Sequence, residues 1–111
     1  MHSIGILHKD IKACNILIKE EVVKGLERGT GRVVSDVVTC IADLGFAELY
    51  KLTDRYQKQF LCGTPGYIDP AVLKCTHNYV PQSDYFSLGA LMFNLLVGGG
   101  DNTLFSGSSA R

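Results

Sequence analysis

The longest apolar stretch of the chain, Tyr85 to Val97, places hydrophobic residues on nearly every side of any helix drawn through it. A helix of that kind has no natural solvent face, so a fold containing it must bring other elements around it. Ser87 and Asn94 interrupt the stretch. It also falls short of the ~20 residues that a membrane span needs, so it reads as a buried core helix. Ser83-Asp84 in front of it reads as an N-cap, and Gly98 behind it as a stop.

The rest of the chain offers modest material for wrapping that helix. With 111 residues, one domain is the natural reading. Residues 16 to 18 and 37 to 42 are β-branched runs that read as two short strands. Between them lies a polar, glycine-containing excursion, from Glu20 to Asp36, which reads as surface and could hold a helical turn in Glu20 to Arg28. Residues 44 to 70 show little periodicity and carry Gly45, Gly63, Pro65, Gly66 and Pro70. A compact domain seldom keeps so long an irregular segment unless it is functional or disordered. The end, Gly98 to Asn102 and Ser106 to Ser109, is loop-like.

Composition excludes several classes. Eleven basic residues balance eleven acidic ones, so nothing suggests nucleic acid or an acidic tail. Cys14, Cys40, Cys62 and Cys75 are widely spaced, which favours reduced intracellular thiols over a disulfide framework. His2, His8 and His77 form no zinc-spaced cluster with them. No secretory signal opens the chain, because His8, Lys9 and Asp10 break any apolar run there.

Chemistry-bearing residues fall into four clusters. His8-Lys9-Asp10-Ile11-Lys12-Ala13-Cys14-Asn15 sets a carboxylate, an ammonium and an amide within six positions. Anionic group transfer needs such groups: a carboxylate to orient a hydroxyl and take its proton, an ammonium to neutralise the moving phosphoryl, and an amide oxygen to ligate magnesium. Alone, the cluster equally suits a solvated loop of mixed charge. Asp43-Leu44-Gly45 follows the second strand and could offer a metal two oxygens, or be an ordinary turn. Cys62 to Pro70 is rich in turn residues. Ser83 to Gly89 opens the apolar helix, with Asp84 placed to complement its dipole.

Taken in order, the four clusters resemble the protein kinase family over residues 4 to 98. His8 to Asn15 resembles the catalytic loop H-R-D-x-K-x-x-N, and Asp43-Leu44-Gly45 the D-F-G triplet. Gly63 to Pro70 resembles the end of the activation segment, G-T-x-x-Y-x-A-P-E, and Ser83 to Gly89 the start of the family's central helix. The resemblance implies an α+β fold fragment, the mainly helical C-terminal lobe with a few short strands around the catalytic loop. It implies that residues 1–111 form a partial catalytic domain, lacking the N-terminal lobe and the last helices. Asp10 would be the catalytic base and Lys12 would contact the transferring phosphate, as is typical of Ser/Thr-directed kinases. Asn15 and Asp43 would hold Mg2+ ions that bridge the phosphates of ATP. Thr64 would hydrogen-bond near Asp10 and Lys12 and shape the acceptor site. Asp84 would tie the central helix to the catalytic-loop backbone.

The chain also departs from the family pattern. Lys9 replaces an arginine that pairs with an activation-segment phosphate, and lysine lacks the bidentate fork. Phe60 stands where many members carry the phosphorylated residue, so activation by phosphorylation there is expected to be lacking, with Thr53 and Tyr56 as other hydroxyls nearby. Leu44 replaces phenylalanine as an apolar plug, and Ala71 lacks the carboxylate of the usual glutamate. No G-x-G-x-x-G precedes a strand, Gly29-Thr30-Gly31 being a partial match out of place, and no V-A-I-K lysine occurs.

Two function classes follow. The first is an ATP-dependent protein serine/threonine kinase whose partners are ATP, a protein substrate, and a missing lobe supplied by a longer chain or another protein. The second is a non-catalytic fragment that docks proteins through an exposed half-core. Neither involves nucleic acid or membrane, and an intracellular, cytoplasmic location is expected.

Overall fold

A computed structural model describes residues 1–26, 28–29, 33–51 and 60–97. A 3-10 turn, His2–Ile4, ends in Gly5 at φ 74°, a left-handed cap that suits glycine. Strand β1 (Ile6–Leu7) follows and leads into the loop of residues 8–12. A second 3-10 turn, Ala13–Asn15, precedes β2 (Ile16–Leu26), which pairs with β3 (Val33–Ile41). β4 (Glu48–Leu49) returns to pair with β1, Leu7 opposite Glu48. Beyond the segment of residues 60–69 lie the single turn α1 (Pro70–Leu73) and the helix α2 (Pro81–Val97).

The antiparallel ribbon β2–β3 corrects the expectation of short strands. It runs from the pair Ile16 and Ile41 out to Leu26 and Val33, with irregularities between Ile18 and Glu20 and between Val23 and Gly25. β-branched residues recur along both segments, so pairing continues through the stretch read as a surface insertion. The mainly helical expectation is corrected with it: α1 and α2 hold 4 and 17 residues, while β2 and β3 alone hold 11 and 9. The fold is that of an α+β fragment of a protein kinase domain.

Among the described residues the core is small. Leu7, Val72 and Tyr79 form it, with Tyr50, Cys62 and Ile68 packed against it. Leu7 is 1% exposed, and burying a leucine of this kind contributes about 2 kcal/mol.

Helix α2 starts earlier than expected. Pro81 takes the first helical position, where its missing N–H costs nothing. Ser83 is therefore in the first turn rather than at the N-cap. Its Oγ accepts from Val80 N at 3.3 Å while its own N–H donates to Val80 O at 2.8 Å, a reciprocal closure of the helix start. The expected wrapping of α2 is not met among the described residues. Ser83, Asp84, Ser87, Ala90 and Leu91 are buried, but Leu95 is 69% and Leu96 84% exposed. Among the described residues, one stripe of the helix is buried against the others. Gly98, read as the helix stop, lies outside the described residues, as do Thr53 and Tyr56. Among the described residues, no helix is long and apolar enough to cross a membrane.

Candidate active site

The loop after β1 is held by a buried carboxylate on α2. Asp84 Oδ2 accepts from His8 N and Oδ1 from Lys9 N, each at 2.8 Å, and His2 Nε2 lies 2.7 Å from Oδ2. His8 is fully buried and joins two strand ends. Its Nε2 donates to Ala42 O at 3.0 Å and its Nδ1 accepts from Asp10 N at 3.3 Å. Those partners can only accept and only donate, respectively, so they specify the Nε2–H tautomer. Lys9 takes φ 70°, a left-handed backbone position uncommon for a residue other than glycine.

Asp10 is the hub of the site. Thr64 Oγ1 donates to Asp10 Oδ1 at 2.6 Å. Lys12 Nζ lies 2.9 Å from Asp10 Oδ2 and donates to Thr64 Oγ1 at 2.8 Å. Asn15 Nδ2 donates to Asp10 O at 2.8 Å and to Asp10 Oδ2 at 3.2 Å. Burial opposes the charge on Asp10, but the hydrogen bonds from Thr64, Lys12 and Asn15 and the Lys12 charge outweigh it and hold the carboxyl below its ordinary 3.8. The bond to Asp10 in turn raises Lys12, against some desolvation, with the charges of Asp10, Cys14 and Asp43 adding to the rise. Asp10 is therefore an ionised acceptor beside a firmly protonated ammonium.

The ribbon base brings Asp43 to the same place. Ile16 faces Ile41 in register, and Ala42 N donates to Asn15 O at 2.8 Å, so Asp43 emerges next to Asn15. Asp43 takes φ 62°, and Gly45 N donates to its Oδ1 at 3.1 Å. A Cβ on residue 45 would lie 3.0 Å from that oxygen, so glycine leaves the carboxylate room. With Asn15 Nδ2 turned to Asp10, the amide's acceptor end is Oδ1. One carboxylate and one amide suit magnesium, which keeps most of its shell for water and substrate phosphates. Among the described residues no group of three or more His, Cys, Asp or Glu gathers to hold a metal. Asp43 and Asn15 are thus donors of the chemical kind magnesium takes, without a closed cage of protein ligands among the described residues.

Side chains beyond the expected set complete the surroundings. Lys9 Nζ pairs with Glu48 Oε2 at 2.6 Å, and its side chain is only 6% exposed. It also lies 4.7 Å from the Tyr79 ring centroid. The Tyr79 hydroxyl accepts from Cys62 N at 3.0 Å and donates to Cys62 O. Nothing local in the sequence marks Glu48 or Tyr79 for these contacts, since each partner lies 17 or more positions away. Leu44, read as an apolar plug, is instead exposed, as is Phe60. Asp69 caps α1 by accepting from Ala71 N at 2.9 Å, and its other oxygen accepts from Ser83 Oγ at 3.2 Å. Four free cysteines are present, with Cys62 half-buried against the core and the others exposed.

The family model for the protein kinase domain matches residues 1–109. The chain belongs to the protein kinase family. Serine/threonine-protein kinase PLK4 of Drosophila melanogaster is 35% identical over 99 residues, covering 88% of this chain and 10% of that relative. PLK4 of Nematostella vectensis is 35% identical over 98 residues, covering 88% and 8%. Human serine/threonine-protein kinase ULK1 is 34% identical over 98 residues, with the same two shares. The kinase chain thus spans about a tenth of the length of these relatives. The family transfers a phosphoryl group from ATP, with Mg2+, to protein substrates.

Proposed function

We propose that this kinase chain carries the phosphoryl-transfer centre of an ATP-dependent protein serine/threonine kinase, as a partial catalytic domain over residues 1–111 drawn from the C-terminal lobe. The observation that carries this reading is the Asp10 carboxylate, ionised and bonded by Thr64, Lys12 and Asn15 from two separate segments. A substrate hydroxyl presented to Asp10 is oriented by that carboxylate. The hydroxyl oxygen bonds to the γ-phosphorus as the bond to the bridging oxygen breaks, ADP leaves, and the hydroxyl proton passes to Asp10. Because its pKa is held low, Asp10 contributes chiefly by aligning the nucleophile and takes the proton late. Lys12 neutralises charge on the moving phosphoryl, and Thr64 bridges Lys12 and Asp10 by hydrogen bonds to both. Asp43 and Asn15 would hold Mg2+, which when bound offsets the charge of the ATP phosphates. The elements that grip adenine and the β-phosphate are proposed to come from a longer form of the chain or from a partner protein. Lys9 has its carboxylate partner in Glu48, which supports a centre that assembles without a phosphate at position 60.

A second reading has its own observation. Leu88, Met92, Leu95 and Leu96 leave α2 with an exposed apolar face, which suits a non-catalytic fragment that docks on protein. Calorimetry with magnesium and ATP on the purified chain, beside Asp43→Ala, separates the two. Binding that disappears in the variant supports the phosphoryl-transfer reading. A folded chain that binds no nucleotide overturns it for this polypeptide and favours docking.

A further inference from the structure

Asp10 and Thr64 lie 54 positions apart, and their 2.6 Å hydrogen bond needs two irregular segments held in place to within tenths of an ångström. The Thr64 segment is gripped by Tyr79. One hydroxyl satisfies both the N–H and the carbonyl of Cys62, two residues before Thr64, much as a neighbouring strand would. Tyr79 is 4% exposed and packs on Leu7 and Val72, so that hydroxyl is anchored to the core.

The same side chain meets the other segment. The Lys9 ammonium, one residue before Asp10, sits over the Tyr79 ring within cation–π range. A sheltered ammonium needs a carboxylate, and Glu48 on β4 supplies it at 2.6 Å. Beside this contact the two segments touch backbone to backbone: a Cβ on Gly63 would come within 2.8 Å of Lys9 O. One connected path therefore runs Glu48, Lys9, Tyr79, Cys62, and from there to Thr64 and Asp10.

We infer that Tyr79 and Glu48 are positioning residues for the Asp10–Thr64 pair: Tyr79 grips one segment through Cys62 and the other through Lys9, and Glu48 keeps Lys9 in that grip. Neither touches a reacting atom. The inference rests on the proposed reading of Asp10 and Thr64 as part of the transfer centre, but its geometry is testable without activity.

The test is NMR of the whole chain, reading the Thr64 side-chain rotamer from methyl couplings and amide exchange at Cys62. Tyr79→Phe keeps the ring and removes the hydroxyl. Thr64 is expected to pass from one rotamer to an average of several, and Cys62 exchange to rise about tenfold, the scale of one lost hydrogen bond. Amides of α2 keep their rates, which a general loss of stability would not allow. Glu48→Gln, at a half-exposed position, is expected to shift Thr64 in the same direction. A folded Tyr79→Phe chain with one Thr64 rotamer and unchanged Cys62 exchange overturns the inference. Should Tyr79→Phe not fold, Glu48→Gln decides: averaging at Thr64 supports the grip and an unchanged rotamer sinks it. Magnesium–ATP calorimetry on the unaltered chain tells the two proposals apart. Absent nucleotide binding together with Thr64 averaging in the variants defeats the enzymatic reading and leaves the positioning intact.

Discussion

Single residues set the chemistry of the site through burial and bonding. Burial pushes the Tyr79 phenol up to about 12, against the pull of the Cys62 N–H, while the neighbouring Cys62 and Asp10 charges add to the rise. The neutral phenol is thus favoured by folding. Its contribution is complete below the unfolded value near ~10 and is lost as pH rises from there through about 12. Ultraviolet titration should show one tyrosine ionising last, and Tyr79→Phe should remove that final step. Gly63 is the second sensitive position. It takes φ 111° and has no room for a Cβ against Lys9 O at 2.8 Å. Gly63→Ala should cost about 1–3 kcal/mol, the scale of a strained backbone residue, read from the midpoint of urea unfolding. An unchanged midpoint would mean that the two segments are not in backbone contact.

At the scale of elements, α1 is a single turn that depends on its cap. Asp69 accepts from Ala71 N, follows the rule that places proline at the first helical position, and ties α1 to α2 through Ser83 Oγ. His77 Nε2 stands 3.9 Å from the same carboxylate. Asp69→Ala should cost about 1 kcal/mol for the lost cap, and Asp69→Asn less, because the amide oxygen can still accept. Differential scanning calorimetry of both variants checks the order, and equal losses would show that charge rather than capping matters. The ribbon β2–β3 works differently. Its inner end aligns Asn15 with Ala42 and so delivers Asp43, while Ile18 and Val37 remain exposed farther out.

At the scale of the whole molecule, the described residues leave much apolar surface open. Leu95 and Leu96 on α2 and Leu17 and Ile18 on the ribbon are all more than half exposed, whereas six apolar residues are buried among the described residues. Open apolar patches of this kind drive association. Sedimentation velocity should find self-association that rises with concentration. Leu95→Lys with Leu96→Lys should suppress it while shifting the unfolding midpoint little, since neither side chain is packed among the described residues. A monomer at all concentrations would mean that these faces are not adhesive.

Much of the candidate site was legible because its members lie close together in the chain or in motifs. Asp10, Lys12 and Asn15 share one loop, so a six-residue window reveals a carboxylate, an ammonium and an amide together. Asp43 was legible from its own residues only as a metal carboxylate or an ordinary turn, and Thr64 only through the resemblance to protein kinases, because separation along the chain says nothing of distance in space. The fold was legible in kind and not in proportion. An all-round apolar run marked α2 and β-branched runs marked the two strands, but the ribbon ran on into the polar stretch and α2 began at Pro81 rather than after Ser83-Asp84.

The sequence by itself determined the family, the local chemistry of residues 8–15 and the existence of one long apolar helix, since propensity, motif and charge are properties of neighbouring residues. Tertiary structure alone decided that Lys9 pairs with Glu48, that Tyr79 holds Cys62, and that about half of α2 is exposed among the described residues. Those outcomes depend on which distant segments the small core can bring together, and burial, pairing and dielectric are set there rather than along the chain.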